Sequence, residues 1–307
     1  MNYEKLLLQQ AEQDERIVVM TAENRALIRN VHCILKERFI DTGITEQTMV
    51  GMAAGLSLRG RIPVIHALTT FLTMRAFEFI RSDVGIANLP VKLSGFIPGF
   101  LSDGNGPTHQ AIEDVSLMRG IPNMEVFCPA DENDLLIMLP KIWATSAPSY
   151  VRINHLPGKY VHDKNFEIGK AEVICEGSDI TFLVYGYLFE QTMEAGTILK
   201  EKGYSVGLIN MRSLKPVDEE AIIRAAVKSN ICVTVEDHLI TGGLYSIVAE
   251  TLLKNKITVD VIPLALRNRW FKPALLQDVL EYEEFTAEAI VNHVLRELKI
   301  RLNTINI

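Results

Sequence analysis

Short apolar runs alternate along the chain with longer stretches in which apolar residues recur every three or four positions. The short runs have the length of buried strands, and the longer stretches have the period of amphipathic helices. Repeated alternation of this kind is typical of parallel sheets covered by helices on both faces. The pattern therefore predicts an α/β fold with two consecutive doubly wound domains, each built on a largely parallel sheet.

The alternation is interrupted by one stretch rich in Gly, Pro, His and Lys, at 154–164. We place a domain boundary near residue 165, which gives domains at 1–165 and 166–307, and 307 residues suit two domains of ordinary size. Predicted first-domain strands are Arg16–Met20, Ile62–His66, Val91–Gly95, Glu125–Phe127 and Tyr150–Ile153, with helices at Glu46–Leu58, Thr69–Ser82, Gln110–Met118 and Asp131–Thr145. Predicted second-domain strands are Ile180–Tyr185, Ser205–Asn210, Ile231–Glu236 and Thr258–Ile262, with helices at Leu188–Lys202, Asp218–Val227, Leu244–Leu253 and from about Gln277.

Composition and charge narrow the class of protein. Hydrophobic residues make up 48% of the chain, and the formal net charge is −7. No basic block interleaves with aromatic residues, so we expect no nucleic-acid partner. No run of about 18 apolar residues predicts a membrane span, and the first residues carry no secretory signal. We therefore expect a cytoplasmic protein whose four separated cysteines, with no C-x-x-C pair, are reduced thiols.

Two features of the first domain could carry chemistry or could simply belong to the fold. Glu46 lies in the first turn of a predicted helix that is rich in Ala, Gly and Met, and an acid there complements the helix dipole. Phe71, Met74 and Phe77 recur at three-residue spacing, so they share one helical face. Such a stripe usually packs in a core, but it could also wall a pocket for a flat heteroaromatic ring.

Two further residues follow loops or strands where ligands often bind. The loop at 96–108 contains three glycines and two prolines, and His109 after it is predicted to open a helix. A histidine beside free backbone N–H groups suits an anionic or hydroxylated ligand, although a structural role stays open. Arg152 ends a predicted strand, where it could bind phosphate through a charge-assisted fork or pair with a nearby acid.

Seven runs of the chain, taken together and in order, resemble the transketolase family. The resemblance is closest to its split-gene form, in which one chain carries the diphosphate-binding domain and another carries the pyrimidine-binding and C-terminal domains. It implies a transferase that moves a two-carbon ketol unit from a ketose donor to an aldehyde acceptor through thiamine diphosphate. The matching runs are Gly43–Gln47, Val50–Leu58, Thr70–Asp83, Gly106–Asp114, Met118–Met124, Pro129–Asp131 and Val235–Leu244.

The resemblance assigns cofactor-binding positions in the first domain. Glu46 falls on the family's activating glutamate, which hydrogen-bonds the N1′ atom of the cofactor's aminopyrimidine. Phe71, Met74 and Phe77 fall on the wall around that ring, and Met74 stands where the family often has an aromatic residue. A thioether still packs well against a ring edge.

The resemblance also assigns substrate-binding positions, and here the chain departs from the family pattern. His109 falls on the family's histidine near the reacting carbonyl, which makes it catalytic as well as substrate-binding, and Arg152 falls on an arginine that binds sugar phosphate. Asn105 stands where the family commonly has an aspartate, and 96–100 lacks the family's donor-contacting histidine. We therefore expect ketol transfer between sugars other than the usual pentose phosphates.

The chain lacks the Gly-Asp-Gly motif with which thiamine enzymes hold the metal and diphosphate. The resemblance thus implies no metal site on this chain, and places Mg²⁺ (or Ca²⁺) and the diphosphate on an N-terminal partner subunit. We expect an α2β2 hetero-tetramer that is active only when both subunits are present. The C-terminal domain, including 236–238, is expected mainly to support dimer contacts.

Three alternatives remain open. The first is the β subunit of a 2-oxo-acid dehydrogenase E1 component, against which the runs 106–110 and 118–124 argue because they look like transketolase. The second is a carboligase similar to 1-deoxyxylulose-5-phosphate synthase. The third is a regulatory relative without activity, against which the retention of Glu46 argues.

Overall fold

The computed structural model describes residues 1–305 as two α/β units. Its strands are β1 (Ile17–Thr21), β2 (Phe39–Asp41), β3 (Ile62–Leu68), β4 (Lys92–Phe96), β5 (Glu125–Phe127), β6 (Ser149–Ile153), β7 (Glu172–Cys175), β8 (Ile180–Val184), β9 (Val206–Asn210), β10 (Ser213–Lys215), β11 (Ile231–Leu239) and β12 (Asp260–Leu266). Its α-helices are α1 (Tyr3–Gln13), α2 (Val31–Leu35), α3 (Glu46–Leu58), α4 (Phe77–Phe79), α5 (Asp114–Arg119), α6 (Glu132–Ala144), α7 (Phe189–Glu201), α8 (Glu219–Lys228), α9 (Leu244–Lys254), α10 (Leu276–Tyr282) and α11 (Ala287–Ile305). Among these residues, no helix has the length and apolar character needed to cross a bilayer.

The strands form two sheets that are mostly parallel. The first has the order β10-β5-β6-β4-β3-β1-β2, with only β10 antiparallel, and the second has the order β12-β11-β8-β9-β7, with only β7 antiparallel. Every residue of β1, β4, β6, β8 and β9 is buried, as expected for strands covered by helices on both faces. The predicted α/β fold with two doubly wound, largely parallel sheets is therefore confirmed.

Several elements differ from the sequence prediction. The helix predicted over 69–82 is broken by π-helical turns at Phe71–Arg75 and Ile80–Gly85, on either side of the single turn α4. The predicted C-terminal helix is two helices, α10 and α11, and the prediction missed α1, α2, β2, β7 and β10. The boundary near residue 165 stays a prediction, and strand β10 from beyond it pairs with the first sheet.

A buried histidine joins the segment between the two sheets to both units. The His162 Nε2 atom lies 3.1 Å from Asp131 Oδ2, and its Nδ1 atom lies 2.7 Å from Glu172 Oε2. Burial lowers the pKa of His162, but the hydrogen bonds to the two carboxylates raise it more, to about 9. The imidazolium form therefore donates both ring N–H groups across this junction.

We expect this junction to weaken as the pH rises. Because the folded-state pKa lies above the ordinary value near 6.5, the stabilisation is fully present below about pH 6.5 and is lost as the pH rises through about 9. The shift corresponds to about 3 kcal/mol of unfolding free energy. Urea unfolding of wild type and His162→Gln between pH 6 and 9.5 measures this contribution. The unfolding free energies of the two proteins should converge as the pH rises.

Two controls isolate the His162 contribution. Burial lowers the pKa of Lys92 to about 8 and raises that of Glu236 to about 8, so the wild-type curve alone contains other titrations in this range. Only the difference in unfolding free energy between wild type and His162→Gln reports on His162. As a second control, His32→Gln, at an exposed histidine, should give the same pH dependence as wild type. A difference that stays constant across the range would contradict the assignment.

Candidate active site

A buried carboxylate at the start of helix α3 forms the centre of the site. The Glu46 side chain is only 2% exposed, and it lies in the first turn of a helix whose other side chains are almost all uncharged. Its Oε2 atom accepts a hydrogen bond of 2.9 Å from Arg75 Nη1. Arg75 comes from the π-helical turn 71–75, so the unusual backbone there brings a cation to the acid.

The ring of Phe71 connects the acid to the predicted histidine. The Arg75 guanidinium carbon lies 4.1 Å from the Phe71 ring centroid, within the range of a cation–π contact. The His109 ring packs edge-on against the same phenylalanine, with centroids 5.0 Å apart. The structure thus brings Glu46, Phe71 and His109 together from three separate segments of the chain.

The backbone around His109 is fixed by a tight turn rather than by a helix start. Its N–H donates to Gly106 O at 2.9 Å, and its carbonyl accepts from Thr70 Oγ1 at 2.7 Å. Gly106 has φ +84°, a conformation that favours glycine. The prediction that His109 opens a helix is wrong, because α5 begins only at Asp114. Its place beside Phe71 depends on the turn and on Thr70.

The other predicted site residues, in the aromatic wall and in the loop, differ in how far they are buried. Met74 and Phe77 are both partly buried, and Phe77 packs against the core of the first unit. Asn105 is exposed, and its Nδ2 atom donates to Ser102 O at 2.9 Å, which holds the loop tip. The Oδ1 atom of Asn105 takes no part in this hydrogen bond.

Arg152 is buried between two carboxylates, a position that disfavours phosphate binding. Its side chain is 3% exposed and donates from Nε to Asp114 Oδ2 at 2.9 Å and from Nη1 to Asp237 Oδ1 at 2.6 Å. A phosphate would have to enter a buried site in which two carboxylates already surround the single cation of Arg152, and its own negative charge would be repelled there. Of the two roles left open by the sequence, the structure shows the acid-pairing one, and the phosphate-binding role of Arg152 stays a prediction.

The second unit holds the loop that leads to His109. The Phe100 N–H donates to Asp237 Oδ2 at 3.2 Å, and the buried Phe100 ring packs against Phe271 and Phe285 at centroid distances of 5.2 and 5.0 Å. Gln110 Nε2 donates to Phe271 O at 2.8 Å on the other side of the loop. The expectation that this unit mainly supports dimer contacts is therefore incomplete.

The sequence prediction missed three charged residues of this region: Arg75, Asp114 and Asp237. Arg75 lies four residues after Phe71, which is the spacing that places it on the same helical face, so its position was available from the sequence. Asp114 and Asp237 lie 38 and 85 residues from Arg152, and no local pattern indicates that pairing.

The site residues fit an aminopyrimidine ring. A flat cation, the Arg75 guanidinium, already donates to Glu46 and stacks on Phe71, so a flat heterocycle with a protonated ring nitrogen would find the same two partners. The buried Glu46 carboxylate could accept a hydrogen bond from such a ring, Phe71 could pack against its face, and the His109 ring lies beside Phe71.

A metal would not find a comparable set in this site. Among the described residues, one group of side chains comes close enough to hold a metal ion: Asp134, His162 and Glu172, at the junction between the units. Those atoms are already engaged, because Arg212 Nη1 pairs with Asp134 Oδ1 at 2.8 Å and the carboxylate of Glu172 accepts from His162. The expectation that this chain has no metal site stays a prediction.

Comparisons with known proteins agree with the architecture. The transketolase pyrimidine binding domain matches residues 2–156, and the transketolase C-terminal domain matches residues 169–290. The 6-deoxy-6-sulfo-D-fructose transketolase subunit of Clostridium sp. (strain MSTE9) is 36% identical over 293 residues, or 94% of this chain and 91% of that protein. A subunit of the apulose-4-phosphate transketolase of Phocaeicola vulgatus is 33% identical over 261 residues, covering 83% of this chain and 84% of that protein. A solved split gene transketolase, described as an inactive beta4 tetramer, has a TM-score of 0.87 at 34% identity and 97% coverage of both chains.

The two matched domains define the class of the protein, which is the pyrimidine-binding and C-terminal part of a thiamine-dependent transferase. The chain belongs to the transketolase family, and its domain content is that of the C-terminal subunit of a split-gene transketolase. Family membership implies dependence on thiamine diphosphate, and the split-gene relatives support a requirement for a partner subunit.

Proposed function

We propose that this chain and a diphosphate-binding subunit together transfer a two-carbon ketol unit from a ketose to an aldehyde. The observation that carries the proposal is the buried Glu46 carboxylate, which is linked through the Arg75 guanidinium to the Phe71 ring next to His109. When bound, thiamine diphosphate supplies the electron sink for the carbon–carbon bond that breaks.

Each site residue has a distinct role in this proposal. Glu46, which is buried, holds a proton at the pyrimidine ring nitrogen through a hydrogen bond. Phe71 packs against the flat ring, with Met74 and Phe77 completing the wall. His109 donates a hydrogen bond to an oxygen of the substrate, and its ring is oriented by its edge-on contact with Phe71.

The substrates we propose are not the usual pentose-phosphate pair. Asn105 can hydrogen-bond a sugar hydroxyl but brings no charge, and Arg152 is enclosed by two acids, so neither standard contact is available in its usual form. Two similar proteins are described as transketolase subunits for a sulfo sugar and for apulose 4-phosphate. A specialised sugar, rather than the usual pentose phosphates, fits these features.

The quaternary proposal is an α2β2 hetero-tetramer in the cytoplasm. The partner subunit would hold Mg²⁺ or Ca²⁺ with the diphosphate, since the one metal-spaced cluster among the side chains that the structure describes is already paired internally. The sequence division near residue 165 is part of the same proposal. It separates a pyrimidine-binding domain at 1–165 from a C-terminal domain at 166–307.

Reconstitution with the partner subunit tests the function. We expect the purified chain alone to have negligible turnover, and the mixture to transfer ketol units from 6-deoxy-6-sulfofructose or a related ketose to an aldehyde. Rates of about 1–10³ per second with xylulose 5-phosphate and ribose 5-phosphate would overturn the specialised-substrate proposal. Lipoyl-dependent decarboxylation would instead support the dehydrogenase alternative, and pyruvate as donor would support the deoxyxylulose-phosphate one.

A further inference from the structure

The guanidinium of Arg75 occupies the place that the proposed function gives to the pyrimidine ring. It donates to Glu46 Oε2 at 2.9 Å, and its carbon lies 4.1 Å from the centroid of Phe71. We propose that Arg75 is an internal placeholder that leaves Glu46 and Phe71 when thiamine diphosphate binds. This inference rests on the proposed function.

The chemistry of the two groups explains why they compete. A guanidinium is planar and delocalised, and its N–H groups suit carboxylates while its face stacks on aromatic rings. An aminopyrimidine that shares a proton with Glu46 is also flat and donates through a ring nitrogen. In the proposal both groups use the same hydrogen-bonding direction on Glu46 Oε2 and the same face of Phe71, which cannot hold both at once.

Burial explains why the chain needs a placeholder. Glu46 is 2% exposed, and an unpaired carboxylate in such a place is strongly disfavoured. The Arg75 side chain neutralises it before the cofactor arrives. With 39% exposure, Arg75 has a route to water, so leaving the acid does not strand a second buried charge. The two exposures suit opposite roles in the proposal: the acid stays buried, and the cation turns into solvent.

The proposal predicts that Arg75 lowers the apparent affinity for thiamine diphosphate. A cofactor that binds only the open form has its apparent dissociation constant raised by the inverse of the open fraction. Because the ion pair is partly exposed, we expect Arg75→Met to tighten the apparent dissociation constant by roughly 3–10-fold. Arg75→Lys keeps the charge without the flat stacking surface, so a smaller tightening is expected.

Calorimetry on the reconstituted two-subunit complex, titrated with thiamine diphosphate in the presence of Mg²⁺, measures this effect. Arg81→Met, at an exposed arginine further along the same segment, is the matched control and should bind as wild type does. Circular dichroism checks that each variant folds. If Arg75→Met does not fold, Arg75→Lys provides the test in its place.

The outcomes separate this inference from the proposed function. Tighter binding by the Arg75 variants alone supports the placeholder. Equal or weaker binding by those variants, with normal binding by wild type, overturns it and leaves the proposed function intact, because Arg75 would then be part of the pocket or irrelevant to it. Absence of thiamine diphosphate binding by the wild-type complex overturns the proposed function and the placeholder together.

Discussion

Replacing Glu46 with glutamine is expected to lower ketol transfer by the reconstituted enzyme by about 10²–10⁴-fold, the usual contribution of a positioned proton-transfer group. Glutamine has nearly the same shape but cannot carry the negative charge that holds a proton at the pyrimidine nitrogen. The fold should survive, because the acid's partner, Arg75, is partly exposed and becomes solvated once the charge is removed. Steady-state rates with saturating cofactor measure the loss.

A second first-turn glutamate provides the control for this prediction. Glu132 begins helix α6 as Glu46 begins α3, but it is not one of the proposed site residues. If Glu46 only complemented a helix dipole, then Glu46→Gln and Glu132→Gln would each cost a few tenths of a kcal/mol of stability and leave the rate unchanged. A near-normal rate for Glu46→Gln would refute its catalytic assignment.

The fold was largely predictable because burial imposes a periodic pattern on strands and helices. Helix α3 has the predicted bounds, Glu46–Leu58, because Gly60, with φ +80°, ends it at the position after the C-cap. The helix predicted over 69–82 failed locally, because hydrophobic spacing does not distinguish α-helical from π-helical turns. Edge strand β10 was missed because three residues are too few for a pattern.

The candidate site was predictable only in part. Family-like runs of residues indicated Glu46, Phe71 and His109, which the structure brings together, but their catalytic roles stay predictions. The ion pair between Glu46 and Arg75 depends on side-chain conformation and on the π-helical turn. Residue type alone specifies neither of these.

Arg152 shows why a residue type at a familiar position does not fix its role. Its position at the end of β6 suits a ligand in an open sheet, yet Asp114 and Asp237 enclose it. Asp237 comes from the second unit and also holds Phe100, so Arg152 lies in the contact that orders the loop before His109. The pairing arises from tertiary packing over long sequence separations.

Replacing Arg152 with leucine is therefore expected to lower the free energy of unfolding by about 3–5 kcal/mol, because two buried carboxylates lose their shared partner. Urea unfolding at pH 7 measures the change. Arg16→Leu, which breaks an exposed pair with Asp14, should cost at most about 1 kcal/mol. Neutralising both acids in the Asp114→Asn, Asp237→Asn, Arg152→Leu triple variant should recover part of the loss, because no buried charge is then left unpaired. A phosphate-binding Arg152 would give the opposite pattern, with unfolding unchanged and a higher KM only for phosphorylated sugars.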